Sequence, residues 1–264
     1  MILYPEIDPV ALDLGLIKVH WYGLMYLFGF IGALLLGNYR AKQKNSNWNK
    51  QQVSDVIFYG ALGVILGGRI GYIVFYNFDL FVQNPLIILR IWEGGMSFHG
   101  GMLGVFVALY LFAKKYNKTF FQVSDFIAPM VPLGLGFGRI GNFINKELWG
   151  RPAETVIPWA MDYGDHIARH PSSLYQALSE GLILFVILFI YSRKPRPTMA
   201  VSGLFMLCYG AFRFTTEFFR TPDAHLGFVM FDWMTKGQQL SIPMILFGIG
   251  LMFWAYRKPK VGKL

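Results

Sequence analysis

Residues Trp21–Tyr39 have the sequence WYGLMYLFGFIGALLLGNY, a run of 19 residues without a charged side chain. An α-helix needs about 20 apolar residues to cross a hydrocarbon core that is roughly 30 Å thick. The whole chain has the same character, since 55% of its 264 residues are hydrophobic and only 15% are charged. Soluble domains carry about 25% charged residues on average. The composition therefore excludes a disordered chain and an ordinary water-soluble enzyme, and it predicts an integral membrane protein.

Seven such stretches follow one another along the chain, and we predict that each forms a transmembrane helix of an all-α polytopic membrane protein. The predicted spans are Trp21–Tyr39, Val56–Tyr76, Met96–Ala113, Phe126–Ile144, Ser173–Tyr191, Val201–Phe219 and Ile242–Tyr256. The apolar run Pro85–Trp92 is too short to cross, so we expect it to lie at the membrane interface. We treat residues 1–264 as a single integral membrane domain, with a small loop or head region at residues 145–172 within it.

The basic residues predict the orientation of the chain. Of the 24 Lys and Arg residues, 14 fall in the C-terminal tail and in the segments after spans one, three and five, whereas seven fall in the other segments. By the positive-inside rule, the N-terminus then lies outside and the C-terminus inside, as an odd number of spans requires. Loops that contact anionic lipid explain most of the net charge of +9. Binding of nucleic acid is therefore not expected.

The remaining three arginines, Arg69, Arg139 and Arg213, each lie inside a predicted span. An arginine at the bilayer centre costs roughly 2.5–3.5 kcal/mol, so each one needs a partner or a wet cavity. All three fall in the outer halves of spans that run in the same direction, and His99 and Tyr22 fall at the same depth. This coincidence predicts a polar cavity that opens outward. Its natural ligand is a phosphate, because guanidinium groups bind phosphate bidentately.

The same arginines are also compatible with roles that involve no phosphate. An internal ion pair would fix helix packing without any ligand, and Arg213 and Glu217, four residues apart, can form one across a helical turn. Glu180, near the outer end of span five, can also pair with an arginine. A transporter for an anion or a lipid is an alternative function, although a transport path should also leave polar residues in the inner half. A non-catalytic scaffold is a third alternative, and it predicts that arginine substitutions harm folding rather than activity.

The end of span four carries the densest group of polar residues, in the sequence GRIGNFINKELWGRP of Gly138–Pro152. Arg139 and Asn142 are three residues apart and share one helix face. Asn145 and Glu147 follow at the expected membrane edge. Glycines in this span are compatible with close helix packing alone. A loop cap would explain Asn145, but it does not explain Arg139 and Asn142 together, so that pair is a candidate for a functional site.

Cysteine and histidine usage limits the chemistry. The chain has one cysteine, Cys208, and five scattered histidines without the spacing of a metal site. A disulfide framework and a cysteine zinc site are therefore excluded, and we expect neither a metal nor a cofactor. His99 is followed by two glycines that leave room for a substrate, so it is a candidate base. Most single membrane histidines are structural hydrogen-bonding residues, which is the alternative for His99.

Together these motifs resemble the bacterial phosphatidylglycerol–prolipoprotein diacylglyceryl transferases, and the resemblance covers nearly the whole chain. The matching segments are HWYGLMY (His20–Tyr26), LGGRIGYIVFYN (Leu66–Asn77), MSFHGG (Met96–Gly101), FFQVSDFIAP (Phe120–Pro129), GRIGNFINKELWG (Gly138–Gly150), HPSSLYQ (His170–Gln176) and YGAFRFTTEFFRTPDAH (Tyr209–His225). The segment Gly138–Gly150 matches the family signature, which is long and specific.

The resemblance implies an enzyme of the bacterial inner membrane with an active site toward the periplasmic leaflet. It would move the diacylglyceryl group of phosphatidylglycerol to the lipobox cysteine of a prolipoprotein signal peptide, forming a thioether and releasing glycerol phosphate. Phosphatidylglycerol, the prolipoprotein and membrane lipids would be its partners. The family's functional positions would fall on Tyr22, His99, Arg139, Asn142, Glu147, Gly150, Arg213 and Glu217, together with Arg69.

The implied reaction indicates a role for each candidate residue. A free thiol has a pKa near 8.5, so a base or a positive potential is needed to raise its small thiolate fraction at pH 7. His99 is the candidate base. Arg139 and Arg213 are the candidates that stabilise the charge on the leaving phosphate. We expect Glu217 to orient Arg213 and Glu147 to lie at the outer rim of the site. Tyr22 is expected to contact the headgroup or the substrate through its hydroxyl group.

Overall fold

The computed structural model describes residues 1–15, 18–44, 46–90, 94–153, 157–222 and 226–257, and this part of the chain is mostly helical. The helices are α1 (Trp21–Ala41), α2 (Lys50–Tyr76), α3 (Phe78–Gln83), α4 (Phe98–Lys115), α5 (Phe120–Ile127), α6 (Val131–Ile144), α7 (Ser172–Gln176), α8 (Leu184–Ser192), α9 (Ala200–Thr216) and α10 (Lys236–Arg257). A π-helical segment, Ala177–Ile183, joins α7 to α8, so that Ser172–Ser192 runs as one helix. A 3₁₀ turn covers Pro85–Leu89.

The described strands are short and form three two-stranded pairs outside the predicted spans. They are β1 (Ile2–Leu3) with β4 (Met161–Asp162) in parallel, β2 (Val10–Asp13) with β3 (Lys18–His20) antiparallel, and β5 (Phe228–Met230) with β6 (Met234–Thr235) antiparallel. The predicted head region, residues 145–172, contains β4 and lacks a description only at residues 154–156. β1 therefore ties the N-terminus of the chain to the head region.

Apolar helices of membrane-spanning length confirm a polytopic membrane protein. In the part of the chain that the structure describes, four helices are long and apolar enough to cross a membrane, namely Trp21–Ala41, Lys50–Tyr76, Ser172–Ser192 and Lys236–Arg257. The helices α5 and α6 would make a fifth span together. The helices over predicted spans three and six, α4 and α9, have 18 and 17 residues and are not among these. The count of seven spans therefore stays a prediction.

The orientation of the termini also stays a prediction, because the length and composition of the helices do not show on which side of a membrane each terminus lies. Three of the basic residues that support it, Lys258, Lys260 and Lys263, lie outside the described residues. The interfacial segment predicted at Pro85–Trp92 is described only in part. Its first five residues form the 3₁₀ turn, whereas Ile91 and Trp92 lie outside the described residues.

Predicted span four is not one straight helix. The chain bends by 51° between α5 and α6, which makes the pair a broken span or a re-entrant loop. Pro129 lies in the break, and its ring would collide with a carbonyl of the preceding turn inside a continuous helix. Pro132 lies in the first turn of α6, where the absence of its amide hydrogen costs nothing. The two prolines thus end one helix and start the next.

The chain divides into two compact units, Met1–Leu35 with Asp125–Leu264, and Leu36–Ser124. In the second unit, α2 and α4 pack with their backbones in contact. A Cβ atom at Gly67 of α2 would lie 2.4 Å from the carbonyl oxygen of Gly100, and one at Gly104 of α4 would lie 2.1 Å from that of Gly63. Small residues allow such close approach of membrane helices. The assignment of one domain to the whole chain stays a prediction.

In the first unit, α6 lies equally close to the π-helical segment. A Cβ atom at Gly181 would lie 2.6 Å from the Cα atom of Gly136. Leu184 and Leu188, one turn apart and fully buried, pack with Ala128 and Val201 in one apolar cluster. The close approach at Gly181 carries the neighbouring Glu180 toward α6, and this contact positions the candidate site.

We predict that Gly67→Ala lowers the thermal unfolding temperature of the detergent-purified protein, with a loss of about 1–3 kcal/mol, because overpacking forces the two backbones apart. Gly60→Ala on the same helix is the matched control, since a Cβ atom there would meet nothing within 4 Å. That control should stay within about 1 kcal/mol of the unmodified protein. Circular dichroism measures the unfolding temperatures. Equal values for the two variants would contradict the close packing of α2 on α4.

Candidate active site

A buried network of arginines and glutamates connects α6, the π-helical segment and α9. The Oε2 atom of Glu180 lies 3.3 Å from Nη2 of Arg139, and its Oε1 atom lies 3.7 Å from Nη1 of Arg213. Glu217 pairs with Arg213, as their spacing predicts, and also with Arg220 at 3.0 Å. The Glu180 side chain is 0% exposed, whereas those of Arg139 and Arg213 are 19% and 15% exposed. Buried carboxylates therefore hold two arginines at the accessible edge of the network.

The network is rich in arginine. Within the described residues, ion pairs join three arginines to its two glutamates, and these side chains are mostly buried. A fourth arginine lies against it, because Arg151 donates to the backbone oxygens of Arg220 at 2.9 Å and Glu217 at 3.3 Å. Guanidinium groups gathered at an accessible edge favour an anionic ligand, because they offer charged hydrogen-bond donors. The planar guanidinium groups suit a phosphate in particular.

Hydroxyl groups complete the hydrogen bonding of both carboxylates. Thr216 of α9 donates to Oε1 of Glu180 at 3.3 Å, and Thr235 of β6 donates to Oε2 of Glu217 at 2.8 Å. Gly237 lies directly against Glu217, since a Cβ atom at Gly237 would be 2.7 Å from the carboxylate carbon. Glu180 itself belongs to the π-helical segment, and short π-helical segments occur frequently at functional sites. The site is therefore assembled from elements that are far apart in the sequence.

Gln176 belongs to the network although no sequence pattern indicated it, since HPSSLYQ is typical of a helix start. Its side chain is fully buried, and its Oε1 accepts a hydrogen bond from Nη1 of Arg213 at 3.2 Å. This contact fixes the orientation of the amide group. Within the described residues its Nε2 has no hydrogen-bond acceptor. Gln176 thus holds Arg213 and keeps a donor beside the arginines.

A second polar cluster lies where α6 ends. Asn142, which is buried, donates to Glu147 at 2.7 Å, and Asn145 donates to the other carboxylate oxygen of Glu147 at 3.2 Å. Tyr22 packs across Gly141, where a Cβ atom would lie 2.8 Å from its ring, and its hydroxyl interacts with Asn142. Glu147 is exposed. Three predicted site residues, Tyr22, Asn142 and Glu147, are therefore brought together.

Gly150 connects the head region to the end of α9. It forms an antiparallel bridge with Arg220, and the flanking amides of Arg151 and Thr221 donate across the bridge to Phe219 and Trp149 at 2.9 and 3.0 Å. A Cβ atom at Gly150 would lie only 1.9 Å from the carbonyl oxygen of His170, so no larger residue fits. The structure thus shows a close backbone approach at this position, and ligand contact by Gly150 stays a prediction.

Aromatic packing in the head region fixes the C-terminal end of α6. The Tyr4 hydroxyl donates to the backbone oxygens of Phe143 and Ile144 at 2.8 and 3.0 Å. The Tyr163 ring stacks on Tyr4 and on Trp149, with centroid distances of 5.2 and 5.5 Å. Burial raises the pKa of Tyr163 to about 12, so this hydroxyl stays protonated at neutral pH. The head region thereby holds the helix end that carries Asn142 and Glu147.

Arg69 lies in the second unit and is only 5% exposed. Its guanidinium group donates to the backbone oxygens of Ile87, Ile88, Gly94 and Gly95. These carbonyls satisfy the need for a partner that an intramembrane arginine has. The contacts indicate that Arg69 holds the segment after α3 in place, whereas binding of phosphate by Arg69 stays a prediction.

His99 also lies in the second unit, in the first turn of α4, and its side chain is exposed. It borders a cavity of about 320 Å³ that is also lined by Phe75, Tyr76 and Ser97. Ser97 caps α4 by accepting a hydrogen bond from the amide of Gly100 at 3.2 Å. This arrangement leaves the imidazole accessible to a substrate, as its predicted role as a base requires.

Comparison with known proteins gives matches along almost the entire chain. A family model described as prolipoprotein diacylglyceryl transferase matches residues 9–254. A phosphatidylglycerol–prolipoprotein diacylglyceryl transferase of Pseudomonas aeruginosa is 58% identical over 260 residues, which are 98% of this chain and 97% of the relative. Proteins of the same name are 56% identical over 265 residues in Pseudomonas putida, covering 98% of each chain, and 58% identical over 255 residues in Marinomonas, covering 96% and 94%.

We predict that Glu180→Gln destabilises the protein by about 3–5 kcal/mol, because it leaves the buried edges of Arg139 and Arg213 without a carboxylate. Glu6→Gln is the control. Glu6 pairs with Lys146 at 2.7 Å, but its side chain is 82% exposed, so the loss there should stay below about 1 kcal/mol. Thermal unfolding of the detergent-purified variants measures both effects. A Glu180→Gln protein as stable as Glu6→Gln would show that Glu180 does not hold the network.

Proposed function

The chain belongs to the prolipoprotein diacylglyceryl transferase family, and we propose that it transfers the diacylglyceryl group of phosphatidylglycerol to the lipobox cysteine thiol of a prolipoprotein. The thiol sulfur forms a thioether bond to the glycerol carbon, and the bond between that carbon and the phosphate oxygen breaks. Glycerol phosphate leaves. One observation carries this proposal beyond family membership: Arg139 and Arg213 share the buried carboxylate of Glu180 and stand together at the accessible edge of the network.

The arginines act on the leaving group. Negative charge gathers on the phosphate as the carbon–oxygen bond breaks, and preorganised donors in a water-poor site stabilise such charge effectively. Arg139 and Arg213 supply these donors, and Glu180 fixes the two guanidinium groups relative to each other. Glu217 orients Arg213 from its other side. Arg139 and Arg213 are therefore the catalytic residues of the proposal, and the two glutamates are positioning residues.

The second polar cluster suits the headgroup. Phosphatidylglycerol carries a second glycerol, whose hydroxyl groups both donate and accept hydrogen bonds. Glu147 offers carboxylate oxygens and Asn142 an amide, and the exposed position of Glu147 allows a headgroup to approach. Tyr22 adds a hydroxyl group on the same side of Asn142. We assign recognition of the headgroup to these three residues. We assign a structural role to Gly150, whose close backbone packing keeps the head region in place.

Two mechanisms can activate the substrate thiol. The positive potential of the arginines lowers the pKa of a thiol that approaches them, which increases the thiolate fraction. His99, exposed beside its cavity, can accept the thiol proton as a general base. Neither mechanism uses a metal or a cofactor.

We place the reaction at the periplasmic leaflet of the bacterial inner membrane. In this arrangement seven helices span the membrane, with the N-terminus in the periplasm and the C-terminus in the cytoplasm, as the distribution of 14 and seven basic residues supports. The chain then forms one membrane domain with residues 145–172 as its periplasmic head. Both the lipid and the signal peptide of the prolipoprotein reach the site from within the membrane. The transporter alternative has no support, since the relatives described above are all named as transferases.

We predict that Arg139→Ala lowers the rate of transfer by about 100-fold or more, the loss typical of removing one preorganised donor. Arg139→Lys should retain part of the activity, because it keeps the charge and loses the bidentate geometry. The assay supplies phosphatidylglycerol and a synthetic lipobox peptide to the detergent-purified enzyme, and mass spectrometry detects the diacylglyceryl adduct on the peptide cysteine.

Two controls make this assay specific. A peptide with serine in place of the lipobox cysteine should form no adduct. Arg193→Ala should leave transfer unchanged, because Arg193 is an exposed residue at the end of α8. Normal turnover by folded Arg139→Ala enzyme would contradict the role of Arg139 as a catalytic residue.

We predict that His99→Gln slows transfer at neutral pH, where most of the substrate thiol is protonated, because the variant loses the group that accepts the thiol proton. Alkaline pH should partly restore the rate of transfer. The pH profile of transfer by the purified variant is the measurement, with unmodified enzyme as the reference. An unchanged rate and pH profile would refute His99 as the base and assign thiol activation to the arginines alone.

A further inference from the structure

A groove of about 500 Å³ lies between α8 and α9. We call it the α8–α9 groove. Its walls are formed by Val186, Ile187 and Ile190 of α8 and by Leu204 of α9. Val186 and Ile190 are 42% and 59% exposed, which is unfavourable in water and favourable in a lipid environment.

The composition of α8 explains why the groove exists. The helix has the sequence LFVILFIYS and is apolar on every side. Only the stripe formed by Leu184 and Leu188 is fully buried, where it packs with Val201 of α9. Ile187, on the next stripe, is only half-buried. A helix that is apolar all round needs either protein or lipid on each face, so lipid is the expected cover here.

One end of the groove is cationic. Lys194 and Arg196 line it just beyond the end of α8. Arg196 donates through Nε to the backbone oxygen of Tyr191 at 2.9 Å, and its guanidinium carbon lies 4.2 Å from the centre of the Tyr191 ring. The Tyr191 hydroxyl is in turn 2.7 Å from that of Tyr256 on α10. These contacts fix the Arg196 guanidinium group over the aromatic wall of the groove.

The neighbouring carboxylate, that of Asp125, is held by the start of α9. Asp125 accepts hydrogen bonds from the amides of Met199 and Ser202 at 2.7 and 2.8 Å, and thus serves as the cap of α9. Within the described part of the chain, no carboxylate forms an ion pair with Lys194 or Arg196. The groove therefore combines an apolar wall with two cations at one end.

We propose that the α8–α9 groove binds one anionic phospholipid. An acyl chain lies along Ile187, Ile190 and Leu204, and the phosphate is held by Lys194 and Arg196. Basic pockets between transmembrane helices are suited to anionic headgroups, and a guanidinium beside a lysine offers several donors to one phosphate. A helix of a protein partner would cover the apolar wall equally well, but it would not supply a phosphate at the cationic end.

This lipid is not the substrate lipid. Lys194 follows Glu180 by 14 residues along a nearly continuous helix, a separation of roughly 20 Å at about 1.5 Å per residue. The groove thus opens at the end of this helix opposite to the arginine network. With the orientation proposed above, it lies in the cytoplasmic leaflet. The protein would hold anionic lipid in both leaflets, and only one of the two sites performs chemistry.

Native mass spectrometry of the detergent-purified protein tests the proposal. The protein is titrated with dioleoyl phosphatidylglycerol or with dioleoyl phosphatidylethanolamine, and the bound lipids are counted. In the wild-type protein we expect the anionic lipid to bind at two more sites than the zwitterionic lipid, namely the proposed substrate site and the groove. Each basic residue near an anionic surface strengthens binding by about fivefold, so the double variant K194Q/R196Q should weaken the groove site by about 30-fold.

Two further variants separate the groove from its surroundings. Arg193→Gln removes a charge one residue away that does not line the groove, and it should bind lipid like the wild type. Ile187→Trp fills the groove without a change of charge, and it should lose the groove lipid. Equal lipid counts in wild type, K194Q/R196Q and Ile187→Trp would overturn the proposal. An equal loss of bound lipid in Arg193→Gln would also overturn the proposal, since that result would mean that any nearby positive charge attracts the anionic lipid.

The Arg139→Ala variant distinguishes this site from the proposed substrate site. It should lose the substrate lipid and keep the groove lipid. If Arg139→Ala loses no lipid while K194Q/R196Q still does, the substrate site is wrong and the groove stands. If only Arg139→Ala loses lipid, the groove proposal is wrong and the substrate site stands.

Discussion

The structure of the first unit depends on one carboxylate, that of Glu180, which lies fully buried between Arg139 and Arg213. A buried carboxylate is tolerated only with charged partners and hydrogen bonds, and a buried arginine needs a carboxylate for the same reason. The three side chains come from α6, the π-helical segment and α9, so these elements must meet at one level. The glycine contact between Gly136 and Gly181 allows the approach, and Thr216 supplies a further hydrogen bond to Glu180.

The arginine network connects the fold to the proposed chemistry. Arg139 and Arg213 share the buried carboxylate of Glu180 in a water-poor setting, where electrostatic interactions are stronger than in water. In the proposed reaction a phosphate binds beside these two arginines, and the same arrangement stabilises it as it gains charge on leaving. The thiol that attacks belongs to the substrate, which agrees with a chain whose single cysteine lies in an apolar cluster.

Hydropathy and spacing predicted the helices and much of the site, but they could not predict its partners. Each of the seven apolar stretches contains helix, although α3 and most of α5 lie outside them. The four-residue spacing of Arg213 and Glu217 correctly predicted their pairing. The break between α5 and α6 was missed, because a proline inside an apolar run can also be tolerated as a kink. Depth in a membrane says nothing about rotation around a helix axis. For this reason the carbonyl partners of Arg69 and the place of Gln176 beside Arg213 emerged only from the structure.

The central claim is that the arginine network binds the phosphate of the substrate. Thermal unfolding of the detergent-purified protein in increasing concentrations of glycerol phosphate, the product that leaves, tests it most directly, since a ligand of the native state raises the unfolding temperature in a saturable manner. We expect such a rise with glycerol phosphate, none with equal concentrations of glycerol, and none with either compound in Arg139→Ala. A rise of the same size in wild type and Arg139→Ala, or no rise in wild type, would contradict the claim.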